Sequence, residues 1–140
     1  MGACSSTTEP DTEYLRRNNV EFSGDLAAWA LSAGVRFVYA SPAATYGSQP
    51  GGDDHDHRAI ERLQPLNPYG QSKQEMDLHA LRHGWLDRIV ALKYFNVFGP
   101  NEHHKGDMRS RVNKSFGRVR RGEALQLFKS YRPEYADREQ

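Results

Sequence analysis

Residues 88–95, RIVALKYF, form a nearly continuous apolar run that ends at Asn96-Val97-Phe98-Gly99-Pro100. The run is far too short for a membrane span, and it lacks the strict polar alternation of a half-exposed strand. It predicts a strand buried on both faces, as in a parallel sheet. Arg36-Phe37-Val38-Tyr39-Ala40 is a second β-rich run, followed by the small-residue loop 41–47. Parallel strands need a long crossover, and the chain offers one: Asn67 as cap, Pro68 at the first helical position, and a helix to about His83 with Gly84 as its stop.

The remaining segments fit the same frame. Thr12 to Ala33 reads as helix, with Phe22, Leu26 and Ala30 repeating every four residues, Trp29 and Leu31 adding bulk, and Gly34 closing it. Met76, Ala80 and His83 share a face of the Pro68 helix, and Met76 and the Trp29 face are expected in the core. Residues 48–66 are a polar loop. A last helix is expected from Asp107 to Arg121, closed by Gly122, with a short strand from Leu125 to Phe128. Helix and strand alternate, so the fold class is α/β, a parallel sheet with right-handed crossovers. Ligands of such sheets sit beyond the carboxyl ends of strands, where loops 41–47 and 96–106 are placed.

Tyr69 and Lys73 stand four apart at the start of the Pro68 helix, so both project from one face. An ammonium close to a phenol favours the phenolate, which predicts a lowered Tyr69 pKa and a proton-transfer group. An ordinary amphipathic helix start with a buried ring and a solvated lysine has the same pattern.

Composition removes several function classes. Nineteen basic and eighteen acidic residues leave a net charge of +1, which argues against a nucleic-acid or membrane partner. Cys4 is the one cysteine of the 140 residues, so there is no disulfide framework, which suits a cytoplasmic location. Residues 1–11, MGACSSTTEPD, do not have the pattern of a signal peptide. The Asp53-Asp54-His55-Asp56-His57 cluster is too local for a metal site, so no metal is expected. The basic stretch from Lys105 to Arg121 has little aromatic interleaving, and it suits a diphosphate or solvent better than nucleic acid.

Four blocks occur in order: GACSSTTE, YASPAATYG, LNPYGQSK and KYFNVFGPNEHHKGDM. Together they resemble the extended short-chain dehydrogenase/reductase family, also called the NAD-dependent epimerase/dehydratase family. GACSSTTE and HKGDM point to its branch acting on ADP-linked heptose in lipopolysaccharide core synthesis. The resemblance spans roughly residues 2–135. It implies residues 1–140 as a single partial, doubly wound Rossmann-like domain binding NADP. It also implies a nucleotide-sugar substrate, ADP-heptose, and a homo-oligomer for full-length members.

The resemblance further assigns roles. Tyr69 and Lys105 would be the two acid/base residues. Gly2, Ala3, Cys4, Ser5, Asn18, Lys73, Val97 and Lys105 would lie along the cofactor. Asn96, Asp107, Lys114 and Phe128 would meet the substrate.

Two departures stand out. The family carries a serine four residues before the tyrosine of the AATYG block, and here that position is Pro42, which has neither hydroxyl nor amide hydrogen. Ser41 and Thr45 are the nearest hydroxyls in sequence. The Gly-rich βαβ unit that seats a pyrophosphate, and the C-terminal substrate segments, have no counterpart here. The expectation is therefore an internal portion of a longer protein, with an open sheet edge and apolar faces. Two alternatives remain: a non-catalytic remnant, or another member such as a UDP-sugar epimerase or dehydratase. A dehydratase would carry an acidic residue beside Tyr46, where Thr45 stands.

Overall fold

The structure is a computed structural model that describes residues 3–48 and 56–125. It comprises two compact units, Met1–Phe95 and Asn96–Gln140.

The first unit opens with α1 (Thr12–Leu15), which runs through a π-helical segment, Arg16–Glu21, into α2 (Phe22–Ser32). Asp11 caps α1 by accepting the Tyr14 amide hydrogen at 2.9 Å. Strand β1 (Phe37–Pro42) follows, then a short turn at Ala43–Thr45 and a 3-10 turn at His57–Arg62. Helix α3 (Pro68–Arg82) leads to β2 (Ile89–Tyr94), which pairs with β1 in parallel from Phe37↔Ile89 to Pro42↔Tyr94. This is the expected α/β order, with α3 as the crossover.

Helix α3 begins and ends where local rules place it. The Asn67 side chain accepts from the Gly70 amide at 2.7 Å, with Pro68 in the first turn. At the far end the Trp85 amide hydrogen returns to the Ala80 carbonyl. Val35 returns in the same way to Ala30 at the end of α2, a Schellman-type stop.

The core differs from expectation on two faces. Leu15, Asn19, Ala27 and Ala30 are the buried side of the first helical rod, whereas Trp29 is 62% exposed and Phe22 and Leu26 are also exposed. Small residues win because the helices approach closely: a Cβ on Gly24 would sit 3.3 Å from His79 Nε2. Met76 and Ala80 are buried as expected, while His83 is exposed.

The second difference is β2, which alternates instead of being buried on both faces. Phe37, Tyr39 and Ser41 of β1 are on the more buried face with Ile89, Ala91 and Lys93 of β2. Val38, Val90, Leu92 and Tyr94 lie on the other, exposed face, because no described element of this unit covers it.

His79 and His83 stack at 4.1 Å near the end of α3, with Trp85 edge-on to His79 at 5.2 Å. Burial first, then His83 and Arg82, hold the His79 imidazole below its usual 6.5, against a smaller upward pull from Asp25. The fold therefore favours neutral His79. Its contribution to stability is full above pH 6.5 and is lost as pH falls through the lower folded value. Urea midpoints taken at falling pH should decline, and His79→Gln should flatten that decline.

The second unit holds a 3-10 segment at His103–Met108 and helix α4 (Arg111–Arg120). The expected helix thus starts later, because Asp107 lies in the 3-10 segment and Ser110 is the cap, accepting from the Asn113 amide at 3.1 Å. The expected strand from Leu125 to Phe128 lies, beyond Leu125, outside the described residues. Among the described residues no helix is long and apolar enough to cross a membrane.

Candidate active site

Tyr69 and Lys73 sit on the buried side of α3, each 8% exposed. The placement follows from the capped helix start, which turns both side chains inward. Gly70 lets α3 approach the Ala43–Thr45 turn. A Cβ there would lie 2.7 Å from the Ala44 carbonyl oxygen and 3.0 Å from Pro65 Cβ. Gly70→Ala should therefore push the start of α3 off this turn and cost about 1–3 kcal/mol, read from urea unfolding.

The electrostatics of Tyr69 are the reverse of expectation. Burial first, then the neighbouring Cys4, raise its pKa above the usual 10. Lys73 does not offset this, because its Nζ lies 5.9 Å from the ring centroid and its own charge is destabilised by burial. Asp77 and Cys4 pull Lys73 back up by lesser amounts. Tyr69 is thus held as a phenol at neutral pH.

Neither the Tyr69 hydroxyl nor the Lys73 ammonium has a hydrogen-bond partner among the described residues. Neither tip is among the sealed, unpartnered atoms, which are Asn19 Oδ1 and Asn113 Oδ1. Two polar groups on largely buried side chains, still open at the tip, fit an outside ligand rich in hydroxyls, such as a ribose. That is the donor chemistry a nicotinamide nucleotide requires.

The neighbouring residues are arranged as follows. Cys4 is half-buried, and Ala3 and Ser5 are exposed. Gly2 lies outside the described residues. Asn18 is half-buried and donates from Nδ2 to the Tyr14 carbonyl at 2.7 Å. Asn19, fully buried in the π-helical segment, reaches α3 instead: its Nδ2 donates to Ser72 Oγ at 2.9 Å. A cleft between α1 and α3, lined by Leu15, Arg16, Gln71 and Ser72 among others, takes in none of the sequence-predicted site residues.

The largest feature missed by sequence is a buried polar cluster beneath Tyr46. Lys93 Nζ donates to Asp77 Oδ2 at 2.7 Å, to Ser41 Oγ at 2.7 Å and to Thr45 Oγ1 at 2.9 Å. Tyr39 and Ser41 donate to the same carboxylate at 2.6 and 2.7 Å. Asp77 is 1% exposed, and Lys93 Nζ lies 5.4 Å from the Tyr46 ring centroid. Burial and Asp77 push the Tyr39 phenol well above its ordinary range. One signal was available in sequence: a lysine inside an apolar strand needs a buried counter-charge.

This cluster bears on Pro42. The Ser41 hydroxyl is fully buried and bonded to both Asp77 and Lys93, and Thr45 donates to the Pro42 carbonyl at 3.0 Å. Both hydroxyls nearest to Pro42 are engaged inside the fold.

In the second unit Asn96, Val97, Lys105, Asp107 and Lys114 are all exposed. Lys114 Nζ donates to the Asp107 carbonyl, which brings those two together. Phe128 lies outside the described residues. Of the Asp53–His57 cluster, Asp56 and His57 are described, and Asp56 caps the 3-10 turn by accepting the Arg58 amide at 2.9 Å.

Known proteins with similar sequences and structures add to this geometry. Residues 2–136 match the model of the NAD dependent epimerase/dehydratase family. ADP-L-glycero-D-manno-heptose-6-epimerase of Nitratidesulfovibrio vulgaris (strain DP4) is 50% identical over 137 residues, covering 98% of this chain and 42% of the relative. The enzyme of the same name from Fusobacterium nucleatum is 39% identical over 143 residues, covering 43% of its length. The chain thus spans less than half the length of these curated relatives.

Among solved structures, Helicobacter pylori ADP-L-glycero-D-manno-heptose-6-epimerase superposes with a TM-score of 0.71 at 32% identity, covering 87% of this chain and 38% of that one. MoeE5, solved in complex with UDP-glucose and NAD, gives 0.63 at 26% identity over 93% and 43%. The partial parallel sheet is therefore a piece of a Rossmann-like architecture, as the sequence predicted. The chain belongs to the NAD dependent epimerase/dehydratase family.

Proposed function

We propose that this chain carries the proton-transfer residues of a nucleotide-sugar epimerase that interconverts ADP-D-glycero- and ADP-L-glycero-D-manno-heptose with NADP. The observation carrying this reading is the Tyr69–Lys73 pair, largely buried on one helix face with neither polar tip bonded among the described residues. The 50% identity to a heptose epimerase supports the choice of substrate. A role in lipopolysaccharide core synthesis, a cytoplasmic location and a homo-oligomeric state belong to the same proposal.

The chemistry follows from the substrate. The hydrogen on a carbinol carbon is not acidic, so inversion passes through a ketone. NADP, when bound, supplies a reversible hydride acceptor. Tyr69 and Lys105 are the two groups that move the hydroxyl proton, one for each face of the ketone. Lys73 holds the nicotinamide ribose through its ammonium donors and is the counter-charge for the phenolate that Tyr69 becomes when its proton leaves. Ala3, Cys4, Ser5, Asn18 and Val97, with Gly2, line the cofactor. Asn96, Asp107 and Lys114, with Phe128, meet the nucleotide-sugar.

A second reading is favoured by Pro42 and by the engaged hydroxyls of Ser41 and Thr45: a non-catalytic chain without a cofactor. Purification followed by NADP titration separates the two. The epimerase reading expects saturable NADP binding that Lys73→Met weakens. No binding to the unsubstituted chain supports the second reading and refutes the first.

A further inference from the structure

We propose that Glu102 is a positioning residue, closing residues 99–110 into a ring that holds Lys105 for proton transfer; this rests on the reading of Lys105 as the second acid/base group. Glu102 is 3% exposed in a stretch whose other residues, from Asn96 to Met108, are all exposed. A carboxylate is buried only when its oxygens are satisfied. Glu102 Oε1 accepts from the Gly99 amide at 2.8 Å and from Ser110 Oγ at 2.9 Å. Its Oε2 accepts from the Ser110 amide at 2.6 Å. One side chain therefore ties the first and last residues of the loop together.

Lys105 is built onto the same residue. Its amide hydrogen donates to the Glu102 carbonyl at 2.9 Å, which makes the turn that carries it. The clamp continues into α4, because Ser110 Oγ, held by Glu102, also accepts from the Asn113 amide and caps that helix. The Ser110 amide first, then the Gly99 amide, hold the Glu102 carboxyl down at about 2. The carboxylate that makes the ring is therefore ionised throughout the neutral range. A lysine that must meet one face of a transient ketone needs such support, since a misplacement of about 1 Å can cost about 100-fold in rate.

The test compares the full chain with Glu102→Ala and Glu102→Gln by amide hydrogen exchange and by steady-state turnover with ADP-heptose and NADP. Glu102→Ala should speed exchange at Gly99 and Ser110 by about tenfold or more, the loss expected for hydrogen bonds to a charged acceptor, and should speed it at Lys105, whose acceptor is the Glu102 backbone carbonyl, by a smaller factor as the turn loosens. Amides near the end of α4 should change little. In the same variant kcat should fall with KM unchanged, and Glu102→Gln, which keeps one acceptor oxygen, should recover part of both effects. Unchanged exchange, or faster exchange with kcat intact, overturns the role of Glu102 alone. Absence of turnover in the unsubstituted chain overturns the role of Lys105 and this assignment with it.

Discussion

Lys93→Met is expected to destabilise the first unit by about 3–5 kcal/mol, because it strands a buried carboxylate. Asp77 is 1% exposed and its ion-pair partner is Lys93 at 2.7 Å. Tyr39 and Ser41 would still donate to it, but two neutral hydroxyls do not replace an ammonium. The loss reaches the low end of the whole stability of a small domain, about 5–15 kcal/mol, so a unit near that end should populate unfolded chain without denaturant. Urea unfolding followed by tryptophan fluorescence measures it. The double variant Lys93→Met/Asp77→Leu should recover most of the loss, since replacing both members of a buried pair by apolar residues is often neutral. A double variant as unstable as the single one would show that the hydroxyl bonds, not the charge pair, hold the cluster.

Tyr69→Phe should lower epimerisation by about 10²–10⁴-fold, the usual worth of a positioned acid or base. The ring and its burial are retained, so urea stability should change little. Because burial raises the Tyr69 pKa, the phenol form dominates at neutral pH, so on the proposed reading Tyr69 rests in its proton-donor form. Turnover in the direction needing the phenolate should therefore increase with pH toward the alkaline side. Lys105→Met should produce a loss of similar size, and the two losses should not add if both groups serve one ketone.

The two strands, their order and the limits of α3 were legible because each rests on nearby residues. Asn67 and Pro68 start a helix by local bonding, and the run from Ile89 to Tyr94 is too short for a buried helix and carries the β-favouring Ile89, Val90 and Tyr94. Features decided by distant residues were not legible. Leu26 and Trp29 fit a periodic apolar face, yet the rod turns its alanines inward because Gly24 meets His79 on another helix. The π-helical segment that buries Asn19 leaves no periodic trace. Lys93 and Asp77 stand 16 residues apart on a strand and a helix, and only the crossover geometry joins them. The direction of the Tyr69 shift was misread for a related reason: spacing places Lys73 on the same face, but it does not reveal that burial outweighs the ammonium.

The proton-transfer assignment is tested most directly by following the configuration at the inverted carbinol carbon. The protein is incubated with ADP-D-glycero-D-manno-heptose and NADP, and proton NMR reports the two epimers while absorbance reports reduced cofactor. The account predicts conversion to a mixture of both epimers with no net reduction of NADP. Retention of the starting configuration while NADP is demonstrably bound would contradict it.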